Sequence, residues 1–178
     1  MTAIRLLPAA LTLSAAGFVG ILMHEGYTDE AVIPVPGDVP TIGHGTTRYP
    51  DGTPVKIGDT ITPTNAAAVA LRDVTRFEGA LKRCVTVPLA QHEYDAYSQT
   101  IYNIGERAFC DSTIVKRLNA GDYRGACDAL SAWVCGPATA KTAAKPGEQC
   151  YSKRKPMRVI RGLQVRRQAE RALCLGET

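Results

Sequence analysis

Several sequence signatures that often reveal a function are missing from this chain of 178 residues. None of its six cysteines stands in a C-x-x-C pair, which argues against a zinc ribbon or a thioredoxin-like redox site. His24 and His92 have no acidic or cysteine cluster at metal-ligand spacing, so we expect no metal site. Nothing around Ser112 resembles the G-x-S-x-G element of a serine hydrolase. These absences argue against the commonest metal, thiol and serine-nucleophile chemistry.

The chain also lacks any run of basic residues interleaved with aromatics, so the sequence argues against a nucleic-acid partner. Its formal net charge of +4 is a mild basic excess, which suits an acidic cell-wall polymer or an anionic lipid surface. Hydrophobic residues make up 45% and charged residues 21%, which is ordinary for a globular protein. There is no internal repeat and no linker, so we expect one folded unit.

The six cysteines all lie in the C-terminal part of the chain, at 84, 110, 127, 135, 150 and 174. An even number spread in this way predicts disulfide bonds formed in an oxidising compartment. Cys135 and Cys150 are the pair that we predict, because they bracket a segment rich in Gly, Pro, Ala, Lys and Thr that resembles a loop closed at its neck. The alternative is six reduced and buried thiols.

An uncharged segment extends from residue 6 to residue 23 and is rich in Ala, Gly, Ser and Thr. Its length is about the minimum that crosses a bilayer. Three interpretations are open: a signal peptide cleaved near residues 15–17, a permanent anchor, or a weak anchor that leaves the membrane intact. We favour the releasable anchor, with residues 1–23 as the anchor segment and residues 24–178 as the catalytic domain. The segment contains no cysteine, so activation by thiol exchange within it is excluded and refolding after release is expected.

The remaining chain divides into a turn-rich part and a helical part. Residues 31–62 are rich in Pro, Gly, Val, Ile and Thr, which predicts a small sheet of two or three strands with a hairpin turn at Asp51-Gly52. Five helices are then predicted by apolar spacing and capping residues. The first opens at Thr62 and has its apolar side at Ala68, Leu71, Val74, Phe77 and Leu81. The second lies at about 89–102 and has its apolar side at Tyr94, Tyr97, Ile101 and Tyr102. The others run from a cap at Ser112 to residue 119, over 122–133 and over 163–173.

Several short motifs share one order with a known family. They are Glu-Gly at 25–26, Thr-Ile-Gly-His-Gly-Thr-Thr at 41–47, Tyr-Asn-Ile-Gly at 102–105, Ser-Thr at 112–113, Leu-Asn-Ala-Gly-Asp-Tyr at 118–123, and Gly-Leu-x-x-Arg-Arg at 162–167. In this order they resemble the T4-type phage lysozymes, glycoside hydrolase family 24. Together with the N-terminal segment they resemble a signal-anchor-release endolysin of a tailed phage or prophage.

The resemblance implies an α+β, mainly helical lysozyme-like fold, with a small N-terminal β-sheet lobe and a C-terminal helical bundle. It implies hydrolysis of the β-1,4 bond between N-acetylmuramic acid and N-acetylglucosamine in peptidoglycan, causing host lysis. The expected partners are peptidoglycan strands and, through residues 6–23, the host inner membrane. The protein is expected to be a monomer without a cofactor, tethered and inactive at the inner membrane and then active in the periplasm.

The family's functional residues are a Glu, an Asp and a Thr, which the resemblance carries to Glu25, Asp38 and Thr41. The Asp does not map cleanly, because the interval from Glu25 to Thr41 is one residue longer than the usual motif; Asp29 is the fallback. In this interpretation Glu25 is the general acid and Thr41 holds the attacking water. Asp38 either activates that water or stabilises charge on the sugar, with inversion at the anomeric carbon.

Structural roles are possible for the same residues. Asp38 could bond the backbone of its own turn, and Thr41 could be an ordinary strand residue. We expect a structural role for His44, although its place between two glycines would also suit a base. Arg166 and Arg167 could contact acidic wall groups or form a solvated basic face. Two rival functions follow: a lytic transglycosylase, which needs only the Glu, or a peptidoglycan-binding protein without catalysis.

Overall fold

The computed structural model describes residues 3–34, 37–137 and 157–177. Within these ranges the chain forms seven α-helices and two separate pairs of short antiparallel strands. The helices are α1 (Ala15–Glu25), α2 (Pro63–Cys84), α3 (Gln91–Ile104), α4 (Glu106–Cys110), α5 (Thr113–Asn119), α6 (Tyr123–Ala129) and α7 (Arg161–Leu175). The strands are β1 (Thr28–Val32), β2 (Thr41–Gly43), β3 (Cys135–Pro137) and β4 (Met157–Val159). This is the predicted mainly helical α+β architecture.

The N-terminal segment is part of the folded body. The backbone of Leu6 pairs with that of Leu89 through two hydrogen bonds of 2.8 and 2.7 Å, and Leu11 is buried. Ser14 caps α1, and its own backbone and hydroxyl groups donate to the carboxylate of Asp95 on α3 at 3.0 and 2.6 Å. No helix in the described part of the chain is long and apolar enough to cross a bilayer. The predicted boundary between residues 23 and 24 falls inside α1.

A small β lobe follows α1. Strands β1 and β2 pair antiparallel with an irregularity between Thr28 and Val32, so the first strand begins three residues earlier than the turn-rich region had suggested. The hairpin turn at Asp51-Gly52 is confirmed, because Arg48 and Pro54 bridge across it and Gly52 adopts a φ of 86°. A minor apolar cluster holds this lobe together and consists of Ala31, Ile42 and Val55, with Tyr49 and Ile61 packed against it.

The predicted helices are present, with small changes at their ends. The predicted caps Thr62 and Ser112 accept backbone N–H groups through their side chains and begin α2 and α5. Asp122, where the fourth helix was predicted to start, caps α6 in the same way. The predicted helix over 122–133 ends at Ala129 and continues as a 3₁₀ turn over Leu130–Ala132. The short α4 was not predicted, because five residues are too few to show a periodic pattern.

The main core surrounds α3. Tyr94, Tyr97 and Ile101 are fully buried, as their spacing predicted, and α2 and α7 pack on either side of them. On α2, however, Ala68 is exposed and Leu71 is 52% exposed, so the prediction that these two lie on the apolar side is wrong. Because this helix is rich in alanine, two overlapping sets of apolar residues fit a spacing of three or four. The set that packs into the core is Ala66, Val69, Ala70, Val74, Ala80 and Leu81.

Two disulfide bonds join helices of the core. Cys84 at the end of α2 bonds Cys110 at the end of α4, and Cys127 on α6 bonds Cys174 on α7. No cysteine among the described residues is free, so the alternative of six reduced thiols is wrong. Cys150 lies outside the described residues, so the Cys135–Cys150 pair stays a prediction.

Candidate active site

Glu25 is the last residue of α1, and Gly26 ends the helix with a φ of 70°. Its side chain is 20% exposed, and its Oε1 accepts a hydrogen bond of 2.6 Å from Nη1 of Arg166 on α7. The C-terminus of a helix carries a partial negative charge, so an acidic residue there needs a positive neighbour. Arg166, whose side chain is 6% exposed, is that positive neighbour. The carboxyl is therefore fixed in place while part of it stays open to solvent.

The guanidinium of Arg166 belongs to a buried network. Its Nε donates to Glu170 at 3.0 Å, and its Nη2 donates to the backbone carbonyl of Gln99 at 3.3 Å. Glu170 also accepts from Arg167 at 2.9 Å and from the hydroxyl of Thr100 at 2.9 Å. Burial raises the pKa of Glu170, and the two guanidiniums oppose that shift. Two carboxyl groups, those of Glu25 and Glu170, therefore face the two guanidinium groups of this network.

The expectation that Arg166 and Arg167 contact wall groups or form a solvated face is wrong. Arg167 is 1% exposed and donates to the side chain of Asn103 at 2.9 Å. Its burial lowers its pKa. The sequence does contain a signal for this arrangement: Arg166 and Glu170 stand four residues apart on one helix, a spacing that lets their side chains meet. The partner across the fold, Glu25, could not be found in that way.

An open cavity of about 630 Å³ lies beside Glu25, between the β lobe and the helices. This volume falls in the range of small-molecule binding clefts. The walls come from the end of α1, the segment after β2, the 48–52 hairpin, one face of α2 and the end of α3. The described lining residues are Glu25, His44, Gly45, Thr46, Thr47, Arg48, Tyr49, Pro50, Gly52, Arg72, Asp73, Arg76, Phe77, Tyr102 and Asn103.

His44 has a structural position in this cleft. Its Nδ1 bonds the backbone carbonyl of Gly26, and its ring lies 5.7 Å from that of Tyr27. The hydroxyl of Tyr102 donates to the His44 carbonyl at 3.3 Å, and burial raises the pKa of this tyrosine, which keeps the donor protonated. These contacts hold the His44-Gly45 turn against the end of α1. A Cβ atom on Gly45 would stand 3.8 Å from Oε2 of Glu25.

Asp38 and Thr41 lie on the connection between β1 and β2 and at the start of β2. Asp38 is exposed, and its Oδ1 accepts the backbone N–H of Val39 at 2.9 Å, which is the local turn contact expected as its structural alternative. The hydroxyl of Thr41 donates to the carbonyl of Val32 at 3.4 Å. Neither residue is among the described residues that line the cavity around Glu25, and neither is Asp29, which is exposed on β1.

A carboxylate that sequence reasoning missed does line the cavity. Asp73 on α2 is 24% exposed and accepts a hydrogen bond of 3.1 Å from its neighbour Arg72. The sequence gives no signal for a functional role of Asp73, because an acidic residue next to an arginine is common on helix surfaces. Within the described ranges, no cluster of three His, Cys, Asp or Glu side chains is placed to hold a metal ion.

Comparison with known proteins gives a consistent match. A family model described as phage lysozyme matches residues 23–170. The chain is 37% identical to the endolysin of Salmonella phage P22 over 123 residues, which is 69% of this chain and 84% of that protein. It is 35% identical to the SAR-endolysin of Pseudomonas phage phiKMV over 119 residues, 67% of this chain and 70% of that one.

Among solved structures, an endolysin from Escherichia coli O157:H7 phage FAHEc1 superimposes with a TM-score of 0.78 at 35% identity. The match covers 95% of this chain and 96% of that one, so it includes the N-terminal segment as well as the β lobe and the helical body. The similarity therefore extends over the whole fold that positions Glu25.

Proposed function

Because this chain belongs to the phage lysozyme family, and is a glycoside hydrolase that cleaves peptidoglycan in host lysis, we propose that Glu25 is its proton donor. The observation that carries the proposal is the position of this carboxyl. It is held by the guanidinium of Arg166 and opens on the cleft of about 630 Å³. A glycosidic oxygen lying in the cleft would receive the proton as its bond to the anomeric carbon breaks.

Arg166 fixes the orientation of the Glu25 carboxyl. A guanidinium has five N–H donors, and two of the nitrogens of Arg166 already bind Glu170 and the Gln99 carbonyl, which fixes the plane of the group. The remaining contact, to Oε1, leaves Oε2 as the oxygen that carries the transferable proton. After transfer, the ionised Glu25 keeps its partner, and the buried network gains no unpaired charge.

We keep Asp38 and Thr41 in the roles that the resemblance implies, Asp38 as the carboxylate that assists the attacking water and Thr41 as its anchor. Support comes from the position of Thr41 at the start of β2, and of Asp38 three residues before it, because β2 leads directly to the His44-Gly45 turn beside Glu25. Asp73 is the competitor, because it lines the cavity itself. An inverting reaction needs about 6.5–9.5 Å between the two carboxyls, so that a water fits between them.

The catalytic roles of the carboxyl groups are tested by three amide variants in the intact protein. Glu25→Gln is expected to reduce the lysis rate of outer-membrane-permeabilised Gram-negative cells by about 10²-fold or more. Glu177→Gln, at an exposed position near the C-terminus, is the matched control and should retain full activity. If Glu25→Gln is as active as this control, Glu25 is not the acid. The kcat values of Asp38→Asn and Asp73→Asn are then compared, and the variant with the larger loss of kcat identifies the second carboxylate.

The chemical outcome separates hydrolysis from the transglycosylase alternative. Hydrolysis leaves a reducing sugar with the added mass of water, whereas a lytic transglycosylase leaves a 1,6-anhydro end. Mass spectrometry of muropeptides released by the wild-type protein distinguishes the two products. We expect only the hydrated form, and anhydro ends would move the chain to the transglycosylase class.

We also propose that residues 6–23 first lie in the host inner membrane and then leave it intact, so that the enzyme becomes active in the periplasm. The relative in phage phiKMV is named a SAR-endolysin, which supports a signal-anchor-release route. In the folded protein the backbone N–H of Leu13 donates to Glu78 at 2.8 Å, and Ser14 donates to Asp95. A segment held in a bilayer cannot make these contacts, and Glu25 would then stay apart from Arg166.

Two measurements test this route. The periplasmic protein should have the intact mass of a chain that retains residues 1–23, whereas a mass that begins after residue 17 would establish a cleaved signal peptide instead. Replacing residues 6–23 with a strongly apolar segment of the same length should keep the protein in the membrane fraction and delay lysis. Unchanged lysis timing would mean that release is not required for activity.

A further inference from the structure

We propose that three arginines on the cleft wall bind the carboxylates of the peptide stems that peptidoglycan carries, and so favour peptide-bearing glycan over bare glycan. This inference rests on the proposed function, because it concerns a substrate that reaches Glu25. The three residues, called the arginine wall here, are Arg48, Arg72 and Arg76, and all of them line the cavity that contains Glu25.

Two different elements bring the arginine wall together. Arg72 and Arg76 stand four residues apart on α2, so they lie on one face of that helix. Arg48 comes from the hairpin of the β lobe, where it is held by a 3.0 Å hydrogen bond from its Nη1 to the carbonyl of Gly52. The wall therefore spans both lobes, on the side of the cavity formed by the hairpin and α2.

The positive charge of this wall is only partly balanced. The cavity lining contains two carboxylates, but Glu25 binds Arg166 and Asp73 binds Arg72. Arg48 and Arg76 are exposed, and no carboxylate among the described residues forms an ion pair with either. Arg76 instead places its guanidinium 4.7 Å from the centre of the Phe77 ring, which leaves its N–H groups for a ligand.

Arg72 also has unused donor capacity. Its Nη2 binds Asp73, whereas its buried Nη1 has no hydrogen-bond partner among the described residues. The wall thus offers both exposed and half-buried donors to an anion in the cleft.

Carboxylates are the ligand chemistry that fits this wall. A guanidinium group binds a carboxylate through two parallel hydrogen bonds. An uncharged sugar chain has no negative group that could form such a pair with the three arginines. Sugar rings pack instead on aromatic faces, which the same cavity supplies through Tyr49, Phe77 and Tyr102. The peptide stems of peptidoglycan end in carboxylates and also carry them on side chains. The cleft therefore has one set of groups for the sugar and another for the stem.

The test uses two substrates that differ in stem charge alone. One is purified peptide-bearing glycan, and the other is the same glycan after its carboxylates are converted to amides with a carbodiimide and ammonia. Binding is measured in the Glu25→Gln background, so that the readout does not depend on which residue is the acid. The variant is Arg48→Gln/Arg76→Gln, and the matched control is Arg107→Gln, whose side chain is 97% exposed and does not line this cavity.

We expect the double variant to bind native glycan about three- to tenfold more weakly, from roughly 0.3–0.7 kcal/mol lost at each of two exposed charge pairs. The preference for native over amidated glycan should shrink by the same factor, and raised salt should remove it in the parent protein. The Arg107 control should keep the preference. The proposal is overturned if the parent binds both glycans equally, or if the double variant keeps the full preference. Neither result would bear on Glu25, whose role is tested by the lysis rate.

Discussion

Arg166 on α7 donates to Glu25 at the end of α1 with 2.6 Å between Nη1 and Oε1, across 141 positions of the chain. This contact connects the C-terminal helix α7 to helix α1, which precedes the β lobe. It also means that the proposed acid acquires its partner only when α1 is docked. The arrangement links the folding of the N-terminal segment to the chemistry of the cleft.

Arg166→Lys should lower kcat roughly tenfold while KM changes little, because an ammonium keeps the charge but cannot hold Glu25, Glu170 and the Gln99 carbonyl in one plane. The free energy of unfolding should fall by about 1–3 kcal/mol as buried acceptors lose donors. Turbidity assays and urea unfolding measure the two effects. Arg171→Lys is the control, because Arg171 binds Asp128 at a partly exposed site away from the cleft. Equal activity of the two variants would contradict the positioning role.

Gly20→Ala should weaken the docking of α1. A Cβ atom at Gly20 would stand 2.6 Å from Nε2 of Gln99, which donates to the carbonyl of Gly17. The added methyl must displace that buried amide, so we expect a loss of about 1–3 kcal/mol in unfolding free energy, with partial recovery in Gly20→Ala/Gln99→Ala.

The matched control for this steric effect is Gly79→Ala on α2. The nearest atom to a Cβ there is the flexible end of Arg83, at 3.5 Å. Alanine favours a helix over glycine by about 0.8–1.0 kcal/mol, so this change should raise the melting temperature. If both alanine variants stabilise the protein, the close approach of α1 to α3 is not a constraint.

His24 should report on the docked state through its pKa. Burial of the imidazole lowers the pKa below 6.5, and the positive charge of Arg166 lowers it further. The unfolded chain therefore binds the proton more readily, so the contribution of His24 to stability is complete above pH 6.5 and is lost as the pH falls through the lowered value. NMR titration should give a midpoint below 6.5 that rises in Arg166→Met; a midpoint at or above 6.5 in the native protein would contradict this environment.

The Cys127–Cys174 bond should stabilise the helical body more than any single hydrogen bond described above. It closes a loop with a sequence separation of 47 residues, for which chain-entropy arguments give about 4 kcal/mol. Cys127→Ala/Cys174→Ala should lower the urea midpoint accordingly and leave the cleft intact. Unfolding curves of the oxidised wild type and the double variant provide the measurement, and coincident curves would show that packing alone holds α6 to α7.

Local signals in the sequence were enough to predict most helices of the helical body and several of its core residues. Thr62 and Ser112 were recognisable as caps because the side chain of each can accept an N–H group of the turn that follows it. Tyr94, Tyr97 and Ile101 were recognisable as core because their spacing puts them on one face of α3. The exposed Leu71 shows the limit of this reasoning, since small residues blur the face of a helix and only packing selects one.

The site was predictable only in part. Glu25 could be singled out by its motif and by its place after an uncharged segment, and these are properties of neighbouring residues. The sequence alone also determined that residues 6–23 are uncharged and only weakly apolar, because Ala, Gly, Ser and Thr fill much of that segment. Tertiary structure decided the rest: the burial of Arg166 and Arg167, the presence of Asp73 in the cleft and the arginine wall. Those features depend on contacts between residues far apart in the chain, and no local pattern encodes where such residues meet.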